Sequence, residues 1–227
     1  MLKVENTLPA VTNSGNLPAA PSGGNVTEYL TDFGVGSSGT HFKFSKDGKF
    51  VRNEDDSEIP EGTELAVIYE EIEVGWKKFN GKGNPPDRRM GRLFAGFKMP
   101  KREELGDLDP GAWAQDLSGK PADPWQHQVE LPLMSANGER FIFNTSSVTG
   151  RRAANTVISH CARMAARDPD LYPVVQLKVS GFQHRDDRVG WVKTPAFAIV
   201  GKTPKNNLAA GKESLKENLN DEIPWIP

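Results

Sequence analysis

Gln128-Val129-Glu130-Leu131-Pro132-Leu133-Met134 and Glu139-Arg140-Phe141-Ile142-Phe143-Asn144-Thr145, separated by a turn around Asn137-Gly138, form the passage on which the fold depends. Asn-Gly tolerates the positive φ angles of a tight turn, so the two apolar runs read as a hairpin. The period then changes. From Gly150 to Arg167, Ala154, Val157, Ile158, Cys161 and Ala165 make one apolar stripe, while Arg151, Asn155, Ser159, Arg163 and Arg167 occupy the opposite i+4 row. That is an amphipathic helix, ended by Asp168-Pro169. Two further strands follow, at Val174–Val179 and from Gly190 through Val200.

Upstream, Thr63 to Phe79 is a long β-type run with clean alternation from Tyr69 to Val74, and Gly75 marks an expected bulge. Arg92–Phe97 reads as another strand, and Pro100–Pro124 as a long loop with Trp113 tucked beneath it. Earlier still, Thr40–Phe44 and Lys49–Arg52 flank Asp47-Gly48, a second hairpin signal. From Thr63 the order is long strand, insertion, strand, strand, helix, strand, strand. This predicts a mainly β fold, an OB-fold-like Greek-key barrel with one helix plugging its end. The early hairpin and the large insertion after the first barrel strand would decorate it. An open α+β sheet with one covering helix has the same linear order.

The 227 residues suffice for one domain with tails. Met1 to Val26 is rich in Asn, Pro, Ser and Gly and lacks an apolar targeting core, so residues 1–26 read as a disordered arm. Residues 27–203 form the expected domain, and 204–227 a flexible linker and tip. A formal charge of −2 argues against coating duplex DNA by bulk attraction, although the charges are unevenly placed. One cysteine, Cys161, excludes an internal disulfide and suits a reducing compartment. No apolar run is long enough to cross a membrane, and a cytoplasmic location is expected.

Charge concentrates between Lys77 and Arg102. Lys77, Lys78, Lys82, Arg88, Arg89, Arg92 and Lys98 are interleaved with Trp76, Phe79, Phe94 and Phe97, and Asp87 is the acid among them. Cations that track phosphates and flat rings that accept stacked bases are what a groove for a single strand requires. Trp76 and Phe79 are the candidate platforms; Phe94 and Phe97, inside an apolar run, read as core. Arg151 and Arg152 begin the helix, where the macrodipole favours an anion. Arg185 and Arg188 lie in the turn between the last two strands. For both sets, ordinary solvated surface is the competing reading.

The chain ends Asp221-Glu222-Ile223-Pro224-Trp225-Ile226-Pro227. Two acids before Ile, Pro and an aromatic, after a polar linker, resemble the acidic tip of bacterial and phage single-stranded DNA-binding proteins, which ends Asp-Asp-Ile-Pro-Phe or similarly. Trp225 replaces Phe, and two residues follow it. With the barrel-like order and the basic insertion, this resemblance implies single-stranded DNA held without sequence preference and no cofactor. It also implies a phage-encoded role in DNA replication or recombination, a homo-oligomer, and recruitment of partner proteins through Asp221, Glu222, Ile223, Pro224 and Trp225. An alternative is a protein-binding or inhibitor module that competes for the host pocket reading such tips.

Catalysis has little support, and the chain is expected not to be an enzyme. No phosphate-binding loop motif occurs, and His41, His127, His160 and His184 lack metal-ligand spacing. Cys161 sits on the apolar stripe. Pro169-Asp170 followed by Gln176-Leu177-Lys178 echoes a metal-dependent nuclease pattern, but at a spacing too short for a hairpin.

Overall fold

The computed structural model describes residues 39–80, 84–116 and 119–206. The expected arm, Lys82 and the C-terminal tip lie outside the described residues. Within them the fold is mainly β: ten strands and one α-helix, with the sheet curled strongly into a half-barrel.

The strands are β1 (Thr40–Phe44), β2 (Phe50–Arg52), β3 (Glu58–Ile59), β4 (Glu64–Val67), β5 (Glu73–Lys78), β6 (Asp87–Arg92), β7 (Trp125–Met134), β8 (Arg140–Thr145), β9 (Leu171–Gln183) and β10 (Trp191–Pro204). The helix α1 spans Val148–Arg167 between β8 and β9. The sheet runs β10-β9-β4-β7-β8-β1-β2-β3, with β5 paired to both β6 and β7. The β7–β8 hairpin forms around Asn137-Gly138, with Met134 opposite Arg140 and Gly138 at φ 83°.

Several expectations are corrected. The long first strand is broken at Tyr69–Glu71 by a 3-10 turn, and its halves β4 and β5 pair with successive parts of β7. Gly75 is not a bulge, because the β5 register runs unbroken past it on both sides. Its φ of 151° and its closeness to β6 are what require glycine there. Arg92–Phe97 is not a strand: β6 ends at Arg92 and Leu93–Ala95 turn as a 3-10 helix closed by Gly96 at φ 86°. The early hairpin is no decoration. β1 pairs in parallel with β8, and Phe42 and Phe50 are sealed in the core.

That core is one cluster spanning sheet and helix. Phe42, Phe50, Phe143 and Phe197 pack ring to ring at 5.1–6.3 Å between centroids. Leu131, Leu133, Val67, Ile72 and Leu177 surround them. Ala154, Val157 and Cys161 bring α1 onto this cluster. Each large side chain sealed this way contributes about 1.5–3 kcal/mol. Ser147 caps α1, its hydroxyl accepting from the Gly150 N–H at 3.0 Å. Burial pushes the Cys161 thiol up to about 12, which suits packing and not nucleophilic chemistry. No helix among the described residues is long and apolar enough to cross a membrane.

Candidate nucleic-acid interface

The β5–β6 hairpin divides the basic insertion between two faces, because residues directly opposite in antiparallel strands share a face. Lys77 opposes Arg88, Glu73 opposes Arg92, and across β5 they meet Gln126 and Glu130 of β7. Glu130 is only 3% exposed. Lys77 pairs with it, and Arg88 contacts Glu73 at 2.8 Å and Glu130 at 3.5 Å. Two of the expected phosphate contacts are thus committed to acids of the same sheet. Burial, then the neighbouring Glu130, raises the Glu73 carboxyl above the usual range.

The opposite face carries Trp76, Lys78, Arg89 and His127. Trp76 is half-buried, its ring tilted against His127 at 5.5 Å and its indole N–H donating to the Pro100 carbonyl at 2.9 Å. The expected base platform is therefore held beneath the segment after β6 and does not project as a free ring. Lys78 pairs with Asp107 at 2.9 Å. Asp107 also accepts from the Trp125 indole at 3.0 Å, while Arg102 grips Asp123 through two nitrogens at 2.6 and 2.7 Å. These contacts pin the long loop onto the sheet. Phe94 and Phe97 pack against the core, as their apolar context suggested.

What stays exposed is a smaller set. Phe79 is 59% exposed at the end of β5. Arg89, Arg92 and Lys98 are exposed, with no acid at salt-bridge distance among the described residues. At the start of α1, Arg151 is half-buried near His127, whereas Arg152 is exposed.

The more open constellation is the β9–β10 hairpin, which runs well beyond the strands expected from sequence. Arg185 and Arg188 sit in its turn, and Arg188 pairs with the neighbouring Asp186 at 2.7 Å. Trp191 is 63% exposed. A Cβ on Gly181 would lie 2.4 Å from the Trp191 Nε1, so the indole rests directly across the glycine backbone. Phe182, on the other side of the ladder, is 44% exposed. Sequence reasoning left Trp191 unassigned and missed Phe182. The available signal was phase: Phe182 shares its strand face with Gln176, Lys178 and Ser180, so it is an aromatic in the polar phase.

Titration of the histidines supplies a test of this packing. Burial is the chief reason His41, His127 and His160 lie below the usual 6.5. Lys77 and Arg88 lower His41 further, while Glu130 and Glu54 oppose them. Since the folded state favours neutral imidazole, the unfolded chain takes up protons first as pH falls. Stability from this source is present above about pH 6.5 and is lost as pH drops through the depressed folded values. Glu73, raised, acts in the opposite sense: its contribution is complete below its unfolded pKa and is lost as pH rises through the folded one. Urea midpoints are expected to be lower at about pH 5.5 than at about 7.5, with His41→Gln narrowing the gap; equal wild-type midpoints would contradict the assignment.

Among known protein families, characterised proteins and solved structures, none matches this chain.

Proposed function

We propose that this chain binds single-stranded DNA without sequence preference, in the service of replication or recombination, with its C-terminal tip recruiting partner proteins. The observation that carries the reading is Trp191: a large indole left in water on the β9–β10 hairpin and seated on a glycine, with exposed Arg185 in the turn of the same hairpin. Leaving so much apolar ring unburied has no benefit for folding, whereas a stacked base would cover it. Arg89, Arg92 and Lys98 supply further exposed cations. The mainly β half-barrel, with one helix between its hairpins, supports an OB-like reading of the fold, and in that reading the β9–β10 turn is one of the ligand-clasping loops.

Trp191→Ala is expected to weaken binding of an oligothymidylate roughly tenfold, in line with stacking energies of about 1–3 kcal/mol per base. Trp191→Phe should recover most of the loss, and thermal stability should hardly change because the ring is exposed. The measurement is fluorescence anisotropy on single-stranded and duplex probes over a salt series. Equal affinity for both probes, or an unaltered Trp191→Ala variant, would contradict the reading.

A further inference from the structure

Where the N-terminal half of α1 meets the β9–β10 hairpin, a surface cavity of about 230 Å³ draws on both ladder faces: Phe182, Ser180 and Thr194 come from the face away from Trp191, and Pro195 and Phe197 from its own. Arg152, Thr149 and Thr156 line it from the helix, and Phe182, Ser180 and Thr194 from the hairpin. No carboxylate is among its lining residues. The helix has no Asp or Glu in its twenty residues but carries Arg151, Arg152, Arg163 and Arg167. Arg152 therefore has no acid one turn away, and none lies at salt-bridge distance among the described residues.

One exposed ring, one unopposed guanidinium and four hydroxyls match the parts of a nucleotide. A flat ring accepts any base by stacking, a guanidinium forks onto phosphate oxygens, and hydroxyls serve sugar and base edges without choosing a sequence. A purely apolar peptide would leave Arg152 unpaired in the contact, and inorganic phosphate would leave Phe182 uncovered.

We infer that one nucleotide unit of the bound strand turns into this cavity, its base on Phe182 and its phosphate on Arg152. This rests on the single-strand reading above and adds a second subsite to it. Because Trp191 and Phe182 lie on opposite faces of the ladder, a strand that reaches both passes around the hairpin and presents bases to both sides.

The test measures oligothymidylate affinity across a salt series for wild type, Phe182→Leu, Arg152→Gln and Trp191→Ala. Phe182→Leu is expected to weaken binding roughly five- to tenfold with the salt slope unchanged. Arg152→Gln should weaken it several-fold and flatten the log–log slope by about 0.7, the value of one phosphate contact. A 2-aminopurine scanned along the oligonucleotide should be quenched at a position that loses its quench in Phe182→Leu. Should both variants bind like wild type while Trp191→Ala is weakened, the subsite is wrong and the single-strand reading stands. Should wild type fail to bind the oligonucleotide, both fall. The two side chains are exposed, so unchanged melting temperatures are expected throughout.

Discussion

Glu130→Ala is expected to destabilise the protein by about 3–5 kcal/mol, the range found when one partner of a buried ion pair is removed. The Glu130 side chain is 5% exposed and its partner Lys77 13% exposed, so truncation strands an ammonium where water scarcely reaches. Arg88 suffers less, because it keeps Glu73 at 2.8 Å. Glu73 gains slightly, since a neighbouring negative charge that raises its pKa disappears. The same logic makes the double variant Lys77→Met with Glu130→Leu far milder than Glu130→Ala alone, because well-packed apolar pairs often replace buried ion pairs at little cost. Urea denaturation of Lys77→Met, Glu130→Leu and the double variant closes the cycle and gives the coupling directly. A loss under about 1 kcal/mol for Glu130→Ala would show that the pair is solvated and that Lys77 is available to a ligand. Lys77→Met, if folded, should bind oligothymidylate with the wild-type salt slope, because Lys77 is spent on Glu130 of the same sheet.

Gly75→Val is the second large effect. The residue stands at φ 151°, and an added Cβ would lie 2.2 Å from the Arg89 carbonyl oxygen and 2.7 Å from the Met90 Cα. Both are backbone atoms of β6, so no side chain can swing aside to make room. Backbone strain of about 1–3 kcal/mol adds to overpacking of about 1–3 kcal/mol. The damage should be local: among the described residues β6 pairs with β5 alone, and hydrogen exchange across Asp87–Arg92 is expected to lose its protection first. Gly201→Ala is the control, with nothing within 4 Å of its Cβ position, and should stay within about 0.5 kcal/mol. Wild-type exchange in β6 of Gly75→Val would refute the close approach.

The candidate site was only partly legible. Its charge was visible from sequence, since Lys77, Arg88, Arg89 and Arg92 crowd one short stretch. Their fate was not. Whether a cation is free depends on which acid lies across the sheet, and Glu130 is fifty-three residues from Lys77 in the chain. Trp76 was read as a platform from its basic neighbours, yet the Pro100 carbonyl that holds it comes from the loop folded over its face. Trp191 escaped notice because the core ends before its strand does, and no local pattern shows where a core stops; Phe182 was marked only by its polar phase.

The amino-acid order alone settled what depends on near neighbours. Asn137-Gly138 turned one hairpin, Asp47-Gly48 another, the change of period placed α1, and alternation marked most strands. Those are matters of φ, ψ and side-chain phase over a few residues. Tertiary structure decided the rest: that β1 joins β8 in parallel, that β4 and β5 share β7, and which cations are neutralised and which rings stay wet. Such facts follow from contacts between distant segments, whose energies no window of sequence contains.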